Sequence, residues 1–184
     1  MPNRPSLHQD PIGLLAIARH YIRDIVYGAN DGLITTFAVV AGVVGGGLSA
    51  RTMLIIGVAN LVADGLSMGV GNYLSIKSHE SALAAENRPE EEAHPAWHGF
   101  ATFVSFAVAG AVPLLPFAVG MATHGFAVSL ALTFLTLFIV GALRGLVTID
   151  HWLKAGLEML VLGVVVALGA YGSGVLVARL LAEG

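Results

Sequence analysis

The chain has no cysteine and very few charges. Without cysteine there is no disulfide, no thiolate metal ligand and no thiol nucleophile, although the compartment stays open. Only 11% of the 184 residues are charged, where a soluble domain carries about 25%. Hydrophobic residues make up 56%, so the composition is that of an integral membrane protein. Catalytic signatures are missing as well. There is no H-E-x-x-H, G-x-S-x-G or P-loop pattern, and no Ser–His pair at suggestive spacing. An enzyme is therefore not expected. The opening MPNRPSLHQDPIGLLAIARH lacks the long apolar region and small-residue cleavage site of a signal peptide. The first apolar span is expected to act as the insertion signal and to stay in the protein. Any metal site must use Asp, Glu, His, Met, Asn or backbone oxygen, a ligand set that suits Fe(II) or Mn(II) better than Cu(I).

What is present is a series of apolar runs at about 25–48, 52–76, 97–120, 126–147 and 152–178. Each is long enough to cross a bilayer as a helix, which takes about 20 residues. They are continuous, whereas barrel strands alternate. The expected fold is an all-α integral membrane protein with five transmembrane helices over 25–178. Residues 1–24 form an N-terminal segment, 77–96 a short acidic loop, and 179–184 a tail. Leu14, Leu15, Ile17, Tyr21 and Ile22 beside Arg19, His20 and Arg23 suggest a short interfacial helix within 8–23. A simple lead into the first span explains the same pattern. Orientation follows from Lys and Arg. Arg4, Arg19, Arg23, Lys77, Arg88, Arg144 and Lys154 fall on one side of this topology, and only Arg51 and Arg179 on the other. The N-terminus is thus expected in the cytoplasm and the C-terminus outside. Trp97 and Trp152 would lie in the cytoplasmic aromatic belt. The short loops favour a bacterial inner membrane.

Small residues are abundant, with 23 glycines. Gly42 and Gly46, Gly65 and Gly69, and Gly141 and Gly145 stand four apart, a spacing that lets helices approach closely. The second span holds the least expected residue, Asp64. A carboxylate at the centre of a spanning helix costs about 2.5–3.5 kcal/mol on insertion scales. Asn60, Asp64 and Met68 recur every fourth residue and share a face. Asp31 lies in the first span, in GANDGLITTF. Counted from the inner ends of the two runs, Asp31 and Met68 come level at roughly 10–12 Å depth. Asp64 then sits one turn deeper and Asn60 beyond it. This is a plausible cation path. The plainer readings are an Asp31 that caps a helix or pairs with Arg23, and a gap-filling Met68.

The loop KSHESALAAENRPEEEAHPAW gathers His79, Glu80, Glu86, Glu90, Glu91, Glu92 and His94, with His98 just after it. Carboxylates and imidazoles suit a hard or borderline divalent ion. Glu80, Glu90, Glu91, Glu92 and His94 are the candidate loop ligands. A solvated acidic loop that merely concentrates ions is the alternative. Arg144 and Glu158, at facing ends of the fourth and fifth spans, are expected to pair.

The stretches RDIVYGANDGLITTFAVVAGV and GVANLVADGLSMGVGNYLSIKS resemble the vacuolar iron transporter family and its nodulin-like relatives. HGFATFVSF…GAVPLLPF and GLEML…G…YGSG are similar more loosely, so the likeness covers about 21–178. It implies a homodimer with a cation pathway between subunits, and proton-coupled movement of Fe(II), sometimes Mn(II), out of the cytoplasm. The family's aspartate in its DG-L-T motif falls on Asp31, and its SMG methionine on Met68. Where some plant members have an acidic residue further up the second span, this chain has Asn60, with a carboxylate at Asp64 instead. The long Glu-rich cytoplasmic metal-binding domain of the plant proteins is reduced to the short loop. No resident cofactor is implied; the metal is substrate.

Overall fold

In the computed structural model, residues 5–121 and 124–182 are described. Arg4 and the last two residues of the tail lie outside them. The regular elements are helices: α1 (Leu14–Gly45), α2 (Ala50–Ala85), α3 (Pro95–Ala111), a 3-10 turn (Val112–Leu114), α4 (Leu115–Ala118), α5 (Gly125–Val147) and α6 (Trp152–Ala182). With Pro95–Ala118 taken as one unit, five helices are long and apolar enough to span a membrane. Five is the number the apolar runs require.

The helix ends differ from the runs in an instructive way. No Pro or Gly interrupts Leu14 to Tyr27, so α1 begins at Leu14 and no separate interfacial helix forms. Likewise α2 continues past 76 through KSHESALAA, a stretch with several good helix formers. The acidic loop shrinks accordingly to 86–94. Pro113 and Pro116 lack the N–H of the helical ladder, and the third span tightens there into the 3-10 turn. Ser129 of α5 donates to the Pro113 carbonyl at 2.7 Å, which satisfies an acceptor in the apolar interior.

Helix α1 occupies the middle and touches α2, α3, α5 and α6. Half of its most apolar window is buried, against 22% for α2 and α5 and 11% for α6. Its closest partner is α3. A Cβ at Gly28 would run into the Thr102 carbonyl, and one at Gly32 into the Phe106 carbonyl. A Cβ at Gly110 would in turn lie 2.8 Å from the Gly32 carbonyl. The two backbones therefore meet directly, and only glycine fits. Gly65 and Gly69 of α2 pack on Phe103 and Gly99 of α3, and Gly141 and Gly145 of α5 on Ala155 and Trp152 of α6. Gly42 receives Gly174 of α6. These pairs thus serve contacts inside one chain and lend no weight to a dimer.

Arg19 Nε donates to the Val147 carbonyl at 3.2 Å, which brings the start of α1 to the end of α5. The short α5–α6 connection and the 86–94 loop lie at that same end. Arg19, Arg23, Lys77, Arg88, Arg144 and Lys154 therefore share one face of the bundle. Arg144 donates to Glu158 at 2.9 Å, the expected pair.

The glycine contact yields a test. Gly32→Ala forces a methyl onto the Phe106 backbone, and overpacking of this kind costs about 1–3 kcal/mol. It should lower the melting temperature of the detergent-solubilised protein. At Gly169 a Cβ meets nothing within 4 Å, so Gly169→Ala should leave it unchanged or raise it. Equal melting of both variants would contradict the packing argument.

Candidate metal-binding sites

The turn over 46–49 joins α1 and α2 as antiparallel neighbours, and it provides a ruler. Asp31 precedes the end of α1 at Gly45 by as many residues as Asp64 follows the start of α2 at Ala50. At 1.5 Å per residue both lie about 21 Å from the turn. Asp31 is therefore level with Asp64, and Met68 is one turn nearer the loop face. Depth counted from the inner ends of the apolar runs pairs Asp31 with Met68 instead; the extensions of α1 and α2 beyond those runs shift that register. The two carboxylates are close enough for the charge of Asp64 to act on Asp31.

Both aspartates are half-buried, as are Asn60 and Met68. Thr35 donates to the Asp31 carbonyl at 2.7 Å, which leaves the Asp31 side chain free. Among the described residues neither carboxylate has a hydrogen bond or a salt bridge; Arg23, the plain partner for Asp31, lies against Asp24 at 3.5 Å. Asn60 Nδ2, one turn from Asp64 on α2, is a buried polar atom without a partner. The arrangement is a polar, uncompensated patch on the α1–α2 side of the bundle. Chemically it is a set of hard oxygen ligands with one thioether nearby.

A second group of polar residues lies on the loop face, and it begins with Asp24. This residue is 1% exposed. It accepts hydrogen bonds from Asn72 Nδ2 of α2 at 2.7 Å and is paired with His98 Nδ1 of α3 at 2.5 Å. Asn72 also donates to Thr102 at 2.8 Å. From His98 the contacts pass to Glu92. Its Oε2 lies 3.0 Å from His98 Nε2 and 3.4 Å from His20 Nε2. Its Oε1 accepts from the His94 backbone N–H at 2.7 Å and faces His8 Nδ1 at 3.4 Å. Burial alone would raise the Glu92 carboxyl, but the His94 N–H, His98 and His8 outweigh it and hold it below the ordinary value of 4.5. A carboxyl held low stabilises the folded loop above that ordinary value. The contribution is lost as pH falls through the lower, folded value.

Residues 90–92 of the loop are held from two sides. Glu80, buried on α2, accepts the backbone N–H groups of Glu91 and Glu92 at 3.0 and 2.8 Å. The N-terminal segment lies alongside: Leu7 N–H donates to the Glu90 carbonyl at 2.8 Å and Glu90 N–H to the Pro5 carbonyl at 2.9 Å. The candidate loop ligands thus separate. Glu80 holds backbone, Glu90 is joined through its main chain, and Glu91 faces His79 and Arg88 at 3.4 and 3.5 Å. Only Glu92 enters the histidine cluster. His94 is exposed and faces Asp10 at 3.7 Å. A solvated loop describes Glu86 and Glu91 but not Glu80 or Glu92. Nothing in the sequence marks Asp24, His20 or His8 as site residues. Asp24 sits one residue outside the first apolar run, and the two histidines are far from Glu92 in sequence.

Comparison with known proteins agrees with this architecture. The profile of the VIT family matches residues 22–94 and 85–175. A vacuolar iron transporter of Toxoplasma gondii is 44% identical over 71 residues, 39% of this chain and 24% of that protein. Vacuolar iron transporter 1 of Arabidopsis thaliana is 41% identical over 75 residues, 41% of this chain and 30% of that protein. The chain therefore aligns with about a quarter to a third of the length of these two relatives. Vacuolar iron transporter 1 of Eucalyptus grandis aligns over 84% of this chain and 86% of its own, at 24% identity. With both halves of the bundle inside the matched range, the chain belongs to the VIT family.

Proposed function

We propose that this protein carries divalent metal, Fe(II) and also Mn(II), out of the cytoplasm in exchange for protons, as a homodimer. The observation that carries the reading is the Asp31–Asp64 pair. Two carboxylates level with one another on neighbouring helices in apolar surroundings repel unless a cation lies near both. A metal ion or a proton meets that need, and each excludes the other. Protonation from the far side would release the metal, and loss of the proton to the cytoplasm would restore the site. Met68, one turn toward the loop face, adds a soft ligand on the way in. Asn60 adds an amide oxygen one turn beyond. The named relatives are iron transporters, which supports the choice of ion. The short loops fit a bacterial inner membrane.

The homodimer accounts for the outer face of α2. Ala59, Ala63, Ser67, Gly71 and Ser75 form an exposed ridge of small residues at four-residue spacing. A ridge of that kind admits a second helix at close range. In the dimer the half-buried Asp64 and Met68 would border a path shared by two subunits. Light scattering of the solubilised protein should give twice the 19.0 kDa chain mass. A monomer that still transports would overturn the shared path.

Asp31→Asn and Asp64→Asn should each reduce metal flux into proteoliposomes under a pH gradient by at least about tenfold, equivalent to ~1.4 kcal/mol. Met68→Ala should have a smaller effect. Wild-type flux in Asp64→Asn would remove that carboxylate from the path, and a protein that moves no metal at all would point to a non-transporting scaffold.

Sidedness has its own test, made simple by the absence of native cysteine. Glu86→Cys in the loop should resist an impermeant thiol reagent in intact cells, and Met121→Cys at the opposite end should react. The reverse pattern would invert the topology.

A further inference from the structure

We propose that His20, Glu92 and His98 form a second divalent-metal site, of the two-histidine, one-carboxylate kind, with Asp24 as the group that orients His98. This site lies on the loop face, apart from the Asp31–Asp64 pair, and does not depend on the transport reading. It uses the starts of α1 and α3 together with the loop, rather than a run of loop glutamates.

The ligand geometry is the first support. One atom from each of the three residues lies within 4.8 Å of the others. Both imidazole Nε2 atoms converge on the same carboxylate oxygen, at 3.4 Å for His20 and 3.0 Å for His98. A tetrahedral ion about 2.0–2.2 Å from each ligand holds neighbouring ligand atoms about 3.3–3.6 Å apart, close to these spacings.

The second support is the state of His98. It is 5% exposed, and its Nε2 makes no hydrogen bond of proper geometry, although the Glu92 oxygen lies 3.0 Å away. Its Nδ1 is committed to Asp24, which is itself buried and fixed by Asn72. A carboxylate behind the distal nitrogen of a histidine fixes its tautomer and turns the other nitrogen toward a metal. His98 is arranged in this way, with Nε2 aimed into the cluster. Glu92 is also pre-positioned, by the His94 N–H on its other oxygen and by the grip of Glu80 on its backbone.

Access and donor chemistry complete the case. A cavity of about 690 Å³ reaches the cluster, bordered by His20, Arg23, His79, Glu80, Glu92 and His98. Two imidazoles and a carboxylate, with no sulfur, select a borderline first-row ion such as Zn(II), Fe(II), Co(II) or Mn(II) over Cu(I) or Ca(II). Open positions remain for water or for His8, which faces the other oxygen of Glu92. A bound ion would join α1, α3, the loop and the N-terminal segment at one point above the cavity.

The test uses the full chain in detergent, stripped with chelator and titrated with Co(II) and then Zn(II). Visible absorption of Co(II) reports nitrogen ligation directly, and the melting temperature reports binding to the folded form. The wild type should develop a Co(II) spectrum that Zn(II) displaces, and should melt higher with Zn(II). His20→Gln and Glu92→Gln, at positions less buried than His98, should lose the spectrum and the thermal shift. Asp24→Asn should weaken binding about 10–100-fold, as second-shell changes do. An Asp31→Asn, Asp64→Asn double variant should keep both signals. Full binding in His20→Gln and Glu92→Gln would overturn the site. So would loss of the signals in the double variant alone, since the ion would then belong to the membrane pair.

Discussion

The contact between α1 and α3 is the constraint on which the rest depends. Gly28 and Gly32 bring the α1 backbone onto the carbonyls of Thr102 and Phe106, with no side chain between. Lipid offers no hydrophobic drive for helices to associate, so close packing and interhelical polar contacts must do the holding. At this distance short polar side chains reach across. Asp24 meets His98, and Ser105 reaches the Asp24 carbonyl at 3.4 Å. One turn or more further along α1, the same packing leaves Asp31 on the side that faces α2. The glycines and the two polar sites are consequences of one approach.

Polar satisfaction divides the interior into structural and functional parts. Ser129, Thr133 and Thr102 each donate to a carbonyl and need nothing more. Arg144 is neutralised by Glu158, although its Nε has no partner. The other orphaned atoms are Asn30 Oδ1, Thr36 Oγ1, Asn60 Nδ2 and His98 Nε2. An unsatisfied polar atom in apolar surroundings costs several kcal/mol. Asn60 lies one turn from Asp64 and His98 faces Glu92, whereas Asn30 borders α5 and α6 and Thr36 meets α3 at Gly110. Two of the four uncompensated atoms therefore stand beside the proposed cation sites.

Much of this was legible in the chain. The five spans, the grouping of basic residues at one end and the Arg144–Glu158 pair all follow from hydropathy and charge. Asp64 was conspicuous because a carboxylate in an apolar run has few bland explanations. The register was not legible. Apolar runs end where polarity begins, but α1 and α2 continue as helices into the polar region, so depths counted from run ends were one turn off. The short turn at 46–49 fixes the register instead. The glycine pairs are visible in the sequence, but spacing alone cannot tell a contact inside the chain from one between chains. Gly28 and Gly32, which hold the tightest contact, carry the same four-residue spacing and nothing that sets them apart from the other pairs. The histidine cluster had no sequence signal. His20 and His98 belong to different spans, and only the folded bundle brings them to Glu92.

Helix α2 connects the two sites. It carries Asp64 in the apolar region, Asn72 about 12 Å further along, and Glu80 near the end that leads into the loop. Asn72 holds Asp24, which orients His98. Glu80 holds the backbone of the loop that presents Glu92. Its grip on the rest of the bundle is mostly with α3, and its outer face is open. A shift of α2 along α1 that changed the Asp31–Asp64 spacing would also strain the Asn72–Asp24 bond and move the loop. The patch in the membrane and the cluster on the loop face are therefore mechanically joined. An ion bound to His20, Glu92 and His98 would resist any motion of α2 that pulled the loop away from α1 and α3.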